Sequence, residues 1–105
     1  MEIGKILCRL REAQGLSQGE MAQKLNFSAS YLSLLERNKR AATMHVLRAL
    51  SSWTGVPAGL FLLQSMELSD LGPRQRKLVR EIQREFRKAL ASGDFTVLQR
   101  IAQAD

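Results

Sequence analysis

Residues 15–40, GLSQGEMAQKLNFSASYLSLLERNKR, decide the fold of this 105-residue chain, because they encode two short helices separated by a turn. Ser17 and Glu20 have the S-x-x-E spacing of a capping box, which predicts where the first helix begins. Ser28 is a second candidate N-cap, and the leucines after it repeat an apolar face at one-turn spacing. Helices this short are marginal alone, so both must pack against other helices.

The second predicted helix has small polar residues near its N-terminus and a basic cluster after its C-terminus, formed by Arg37, Lys39 and Arg40. A short helix with this distribution of side chains is typical of proteins that place one helix in the major groove. Cations beside such a helix contact phosphates, which set affinity and register without reading sequence. The segment therefore predicts double-stranded DNA as a partner.

The same segment resembles the helix-turn-helix of the phage-repressor (Cro-like, Xre) family of bacterial transcription regulators. The resemblance rests on S-Q-x-E-x-A, the S-x-S-Y-L-S run and E-R-x-K-R, which occur in that order, and it covers about residues 2–63. It implies a five-helix domain whose third helix lies in the major groove. It also implies a dimer acting on a palindromic operator.

The resemblance further implies which residues contact DNA. The expected phosphate contacts are Gln18, Arg37, Lys39 and Arg40. The expected base-reading positions on the recognition helix are Ser28, Ala29, Ser30, Ser33 and Leu34. These side chains are small or apolar, so we expect little direct readout and much dependence on DNA shape. Arg11 and Glu36 occupy positions that form an internal ion pair in relatives.

The remaining sequence predicts an all-α fold, because no stretch of useful length alternates with a period of two. Helix 1 is expected from Ile3 to Ala13, ended by Gly15. Helix 4 is expected to follow an N-cap at Thr43, and a short fifth helix to begin near Pro57. The inward residues predicted for helix 4 are Met44, Leu47 and Leu50.

Three regions are predicted: a helix-turn-helix domain over residues 1–64, a linker over 65–72, and a C-terminal helical hairpin over 73–105. Asp94 is expected to cap the last helix. The hairpin either folds back on its own domain or pairs with a second copy, and we favour the second because palindromic operators require two recognition helices. The residues expected to dimerise are Trp53, Leu78, Ile82, Phe86, Leu90, Phe95 and Leu98.

The first hairpin helix also has a basic outer face. Glu81 and Glu85 interleave with its cations in the sequence, so a solvated surface is the favoured interpretation and a DNA contact the alternative.

Composition limits the other function classes. The formal net charge of +6 favours polyanionic partners, and a single cysteine excludes an intramolecular disulfide, which suits the cytoplasm. One histidine, no His/Cys cluster and no glycine-rich phosphate loop indicate no metal and no cofactor. The sequence shows no nucleophile–base pair of the kind that enzymes use, so we do not expect an enzyme. No apolar run is long enough to cross a membrane.

The sequence thus predicts a sequence-specific DNA-binding regulator, acting as a repressor and a homodimer. Two alternatives stay open: a DNA-binding antitoxin whose C-terminal helices bind a toxin, and a protein-interaction adaptor that no longer reads DNA.

Overall fold

A computed structural model describes residues 2–65, 68–69 and 71–103, and this part of the chain contains α-helices and no strand. The helices are α1 (Ile3–Ala13), α2 (Gln18–Leu25), α3 (Ala29–Glu36), α4 (Met44–Thr54), α5 (Ala58–Ser65), α6 (Pro73–Ser92) and α7 (Thr96–Gln103). The prediction of an all-α fold is confirmed. Among these residues no single helix is long and apolar enough to span a membrane. Helices α4 and α5 reach that length and apolar composition only when they are taken together, and the chain bends by 120° between them.

Local side-chain caps begin α2 and α3 as predicted, whereas the cap predicted for α4 does not form. The Glu20 backbone N–H donates to Ser17 Oγ over 3.1 Å, and the Ser17 N–H donates to Glu20 Oε1 over 3.0 Å. Ser28 Oγ accepts the Tyr31 N–H at 3.1 Å at the start of α3. Thr43 precedes α4, but its side chain makes no capping hydrogen bond.

Left-handed residues end α1 and α3. Gly15, at φ 67°, ends α1 as predicted, and the Leu16 N–H donates back to the Arg11 carbonyl. Asn38, at φ 57°, makes the same kind of turn after α3, where Lys39 N–H donates to the Leu34 carbonyl. Asparagine tolerates this conformation better than most residues, so the chain turns sharply away from α3 without glycine.

One hydrophobic core extends through all the helices. The residues that α4 contributes to this core correct one of the inward positions predicted for that helix. Met44, predicted to face inward, is 49% exposed, whereas Val46, Leu47 and Leu50 are buried. Met44 occupies the first position of its helix, where the side chain projects past the core rather than into it.

The C-terminal hairpin packs on its own domain. The rings of Phe61 in α5 and Phe86 in α6 meet edge to face, with centroids 5.1 Å apart. Two amides attach the hairpin elsewhere: Gln83 Nε2 donates to the Leu63 carbonyl over 3.1 Å, and Gln99 Nε2 donates to the Thr54 carbonyl over 2.8 Å. These contacts correspond to the fold-back arrangement that we did not favour.

The expected dimerisation residues therefore divide into two groups. Four of them lie in the chain's own core, which corrects their assignment to an interface: Phe86, Leu90, Phe95 and Leu98. Trp53 is half-buried against that core, and it lines a small cavity with Gly93 and Phe95 of the hairpin turn. Ile82 is half-buried and Leu78 is exposed. Homodimerisation and a protein partner both stay predictions.

The hairpin turn begins α7 with the predicted cap, whereas the division into domain, linker and hairpin stays a prediction. Asp94 Oδ1 accepts the Thr96 N–H at 3.0 Å at the start of α7, as an N-terminal cap does. Helix α5 continues to Ser65, one residue beyond the predicted domain end, and positions 66, 67 and 70 of the predicted linker lie outside the described residues.

Because α6 packs on the N-terminal domain through Phe86, we predict that truncating this side chain greatly lowers the stability of the protein. Phe86→Ala removes a fully buried ring from between α5 and α6, so we expect the free energy of unfolding to fall by about 3–5 kcal/mol. Leu78→Ala on the same helix is the control, and because Leu78 is 57% exposed its loss is expected to stay below about 1 kcal/mol. Urea unfolding followed by circular dichroism measures both. Equal, small losses would contradict the packing of α6 on the domain.

Candidate nucleic-acid interface

The exposed side of α3 contains every residue predicted to read bases. Ser28, Ala29 and Ser30 are exposed at its N-terminus, whereas Ser33 and Leu34 are half-buried further along. The opposite side of the helix is buried through Leu32, Leu35 and Glu36. Helix α3 therefore presents a shallow surface of small side chains, which allows a close approach to another molecule.

The residues predicted to contact phosphates lie at the start of α2 and in the segment after the C-terminal end of α3. Gln18 is the first residue of α2 and is half-buried. Arg37, Lys39 and Arg40 are exposed in the segment that follows α3, and Arg37 Nε donates to the Ser33 carbonyl over 3.3 Å. This hydrogen bond holds the guanidinium of Arg37 beside the exposed face of α3.

The single acidic residue between positions 28 and 43, Glu36, is withdrawn from this surface. Its side chain is only 2% exposed, and Arg11 Nε lies 3.1 Å from Glu36 Oε2. Arg11 Nη2 donates to Glu36 Oε1 over the same distance, so the contact is bidentate. The segment that contains α3 therefore exposes positive charge without a carboxylate of its own.

Burial and hydrogen bonding act in opposite directions on Glu36. Burial raises the pKa of the carboxyl, but hydrogen bonds from Arg11 and Cys8 and the charge of Arg11 outweigh it, so the pKa of Glu36 is lowered. A hydrogen bond with Gln18 contributes in the same direction. Glu36 thus connects α1, the start of α2 and the end of α3.

Cys8 belongs to this cluster. Its Sγ donates to Glu36 Oε1 over 2.9 Å. Burial raises the pKa of the Cys8 thiol to about 11, and the hydrogen bond to Glu36 and the carboxylate's charge act in the same direction. Cys8 is therefore held as a neutral donor that supports Glu36, and the thiol is a poor nucleophile.

Two further residues position α3, and neither role was predicted from the sequence. A Cβ on Gly4 would lie 2.6 Å from Asn38 Oδ1 and 2.7 Å from the Glu36 carbonyl, so only glycine lets α1 approach the end of α3 this closely. Asn38 Nδ2 donates to Glu2 Oε2 over 2.8 Å across the same junction. A glycine inside a predicted helix was the available signal for close packing.

Comparison with known proteins agrees with this geometry. A helix-turn-helix family model matches residues 9–61, half of the chain, and these residues contain α2, α3 and the basic segment. The chain belongs to the helix-turn-helix family of transcriptional regulators. This is a family of DNA-binding regulators rather than of enzymes, and the resemblance to the phage-repressor type is confirmed.

Relatives of this helix-turn-helix protein carry consistent names. The immunity repressor protein of Bacillus phage phi105 is 26% identical over 98 residues, covering 90% of this chain and 68% of the relative. An uncharacterized HTH-type transcriptional regulator, y4dJ, of Sinorhizobium fredii is 41% identical over 54 residues, 51% of this chain and 70% of that protein. The HTH-type transcriptional regulator RamB of Mycobacterium tuberculosis is 37% identical over 62 residues, which are 59% of this chain but only 13% of RamB. No solved structure matches significantly.

The lowered pKa of Glu36 predicts an acid-sensitive helix-turn-helix domain. Because its folded-state pKa lies below the unfolded value, the ionised carboxylate stabilises the protein above about pH 4.5, and this contribution is lost as the pH falls through the folded-state pKa. We expect Glu36→Gln to be less stable at pH 7 and to lose less stability on acidification than the wild type. Urea titrations at pH 7 and pH 3.5 measure both effects.

Glu85→Gln is the matched control for this experiment, since Glu85 pairs with Lys88 at an exposed position on α6. It should retain the acid sensitivity of the wild type. An identical pH response of the Glu36 and Glu85 variants would contradict the assigned role of Glu36.

Proposed function

We propose that this protein is a transcriptional repressor that binds double-stranded DNA sequence-specifically, as a homodimer on an inverted repeat. The observation that carries the proposal is the exposed surface of α3, flanked by Arg37, Lys39 and Arg40, with the neighbouring carboxylate of Glu36 buried and neutralised. A cationic, shallow surface on a helix of this kind suits the major groove. In this proposal the protein acts in the cytoplasm and represses transcription by occupying a promoter.

The proposed contacts divide into two classes. Gln18 and the cations at positions 37–40 contact phosphates and fix the protein's orientation. Ser30 and Ser33 each offer one hydroxyl to a base edge, and Ala29 and Leu34 contact thymine methyl groups. Because serine cannot make the bidentate contacts of glutamine or arginine, sequence-dependent DNA shape supplies much of the specificity.

The names of the relatives support this function. The phage phi105 protein, similar over most of this chain, is called an immunity repressor, and y4dJ and RamB are called transcriptional regulators. We therefore place this chain among repressors rather than among toxin-binding or adaptor proteins.

The homodimer that we propose uses a surface beside the DNA-binding segment. Leu62 in α5 is 48% exposed and lines an open groove of about 320 Å³ with Ile3, Ala42 and Leu47. Asn38, which follows α3, lines the same groove. An inverted repeat requires two recognition helices about one turn of DNA, roughly 34 Å, apart. A two-fold axis through this surface would present both copies of α3 to the same side of a duplex, and Leu62 of each copy would fill the groove of the other.

DNA binding is tested by selecting bound duplexes from a random-sequence library and measuring affinities for the enriched sequence. We expect an inverted repeat to be enriched. Gln18→Ala combined with Arg37→Ala should weaken binding to it at least tenfold, because both substitutions remove proposed contacts to phosphates. Loss of the Arg37 charge should also make binding less dependent on salt. Lys24→Ala on the exposed side of α2 is the control and should change affinity less than twofold. Enrichment of no sequence, or equal effects of both variants, would contradict the proposal.

The dimer surface is tested by placing a charge on it. Leu62→Glu buries a carboxylate in the proposed interface, so it should shift sedimentation from dimer to monomer and raise the protein concentration needed for operator binding. Leu78→Glu, on an equally exposed leucine of α6, should leave the dimer intact. The reverse pattern would show that α6 forms the interface.

A further inference from the structure

Helix α6 has a second basic surface, which the operator contact does not use. The helix contains seven cations and two carboxylates over 20 residues, so it carries most of the net charge of the chain. At about 100° of rotation per residue, six of the cations fall on one arc of roughly 120°, opposite the buried face. We call this arc the α6 basic face, and its members are Arg76, Lys77, Arg80, Arg84, Arg87 and Lys88.

The two carboxylates lie beside this arc and not within it. Glu81 and Glu85 alternate with the cations in the sequence, but the helical rotation places both of them along one edge. Among the described residues the one ion pair of this helix joins Lys88 to Glu85, at 3.3 Å. Among the described residues no carboxylate forms an ion pair with the arginines of the α6 basic face, although Glu81 lines the same open groove as Arg76, Arg80 and Arg84.

This arrangement opposes the stability of the helix in two ways. Arg76, Arg80 and Arg84 follow each other at four-residue spacing, and like charges at that spacing repel by about 0.2–0.5 kcal/mol per pair. The first turn contains no acidic residue and several cations, although the helix dipole favours negative charge at this end. Local rules are broken in this way chiefly at functional sites, and a bound polyanion would relieve both conflicts.

The α6 basic face lies away from the recognition helix, because α1 stands between them. Cys8 and Arg11 of α1 contact the end of α3. Arg9 and Ala13 line the groove that α1 forms with Arg87 of α6, on nearly the opposite side of α1. With packed helices about 8–10 Å apart, the axes of α3 and α6 are separated by roughly 16–20 Å. Because the buried side of α3 packs on α1, we expect a straight duplex seated on the exposed side of α3 to lie on the far side of α1 from α6.

We infer that the α6 basic face binds the phosphate backbone of a second segment of duplex DNA, distinct from the segment held by α3. Arginines four residues apart rise about 6 Å along the helix, so a row of them follows a charged strand. Arginine predominates in this face and suits bidentate contact with phosphate. The contact carries no base specificity.

Other occupants fit this surface less well. Protein interfaces centre on large apolar or aromatic anchors and have few charges in the middle. The α6 basic face contains six cations, and the apolar residues on the same arc are only the small Pro73 and Ala91. A membrane-surface helix would need a free apolar face, but that of α6 is occupied by the core through Phe86 and Leu90.

The test isolates α6 from the helix-turn-helix by working in the Gln18→Ala, Arg37→Ala background. Binding of a fluorescent 20-base-pair duplex of arbitrary sequence is measured by anisotropy from 50 to 200 mM salt. Adding Arg76→Gln, Arg80→Gln and Arg84→Gln should weaken this residual binding at least tenfold and lower the salt slope by about 2–3, because each neutralised phosphate contributes roughly 0.9 to that slope. Glutamine is a good helix former, so circular dichroism should show an unchanged helix content.

The matched control removes the same charge elsewhere, at three exposed cations: Lys24→Gln, Arg48→Gln and Arg100→Gln. A weaker effect of these substitutions than of the α6 set supports the inference. Equal effects of the two sets, or no effect of the α6 set, overturn it, the latter leaving the face to a protein partner or to solvent. Because both sets are compared in one background, with a duplex of arbitrary sequence, this result does not depend on whether an operator exists.

A sandwich assay on the otherwise unaltered chain tests the second segment directly. Protein held on an immobilised duplex of the library-selected sequence should retain a labelled second duplex, and the α6 triple variant should lose that retention while keeping the first duplex. Retention by the α6 variant equal to that of the wild type would overturn the inference.

Discussion

The bidentate contact between Arg11 and Glu36 is the interaction on which the DNA-binding surface depends. It joins α1 to the end of α3, and Glu36 in turn receives the Cys8 thiol and lies in hydrogen-bonding range of Gln18. A buried ion pair of this type contributes little net stability against an apolar replacement, because desolvation offsets the attraction. Its importance lies in geometry and charge: it joins α1 to the end of α3, and it removes a carboxylate from the surface that we propose to attract phosphates.

The C-terminal hairpin gives the molecule its second organising feature, a core shared by all the helices. Phe86 and Leu98 are buried with residues of the helix-turn-helix, so α6 and α7 extend the same core, and α6 packs on α1 as α3 does. This packing buries the inner face of α6, so the cations of that helix lie on its outer face. The fold thus presents two positive surfaces that face different directions, with α1 between them.

Local signals explain most of what the sequence could predict. The capping box of Ser17 and Glu20 and the cap at Ser28 depend on neighbours a few residues away, so spacing alone placed α2 and α3. The ion pair of Arg11 and Glu36 is non-local, and it was expected only because the chain resembles a known family. Local pattern and family resemblance together therefore predicted the helices and the ion pair that form the surface which we propose to bind DNA.

The features that sequence reasoning missed are tertiary. An apolar stripe has the same pattern whether it packs on its own domain or on a second copy, so the burial of Phe86, Leu90, Phe95 and Leu98 was assigned to the wrong partner. The tight approach at Gly4 depends on a neighbour more than 30 residues away. Similarly, the separation of cations from carboxylates on α6 appears only when the residues are placed on a helix.

The central claim, that α3 and its flanking cations form the DNA-binding surface, is tested most directly by a map of amide chemical-shift changes. A single short duplex of the selected sequence is added to the ¹⁵N-labelled protein. We expect the first equivalent to shift amides at the start of α2, along α3 and through residues 37–40, while the buried amides of α6 stay unchanged. Shifts confined to α6 and α7, with α3 unaffected, would contradict the claim.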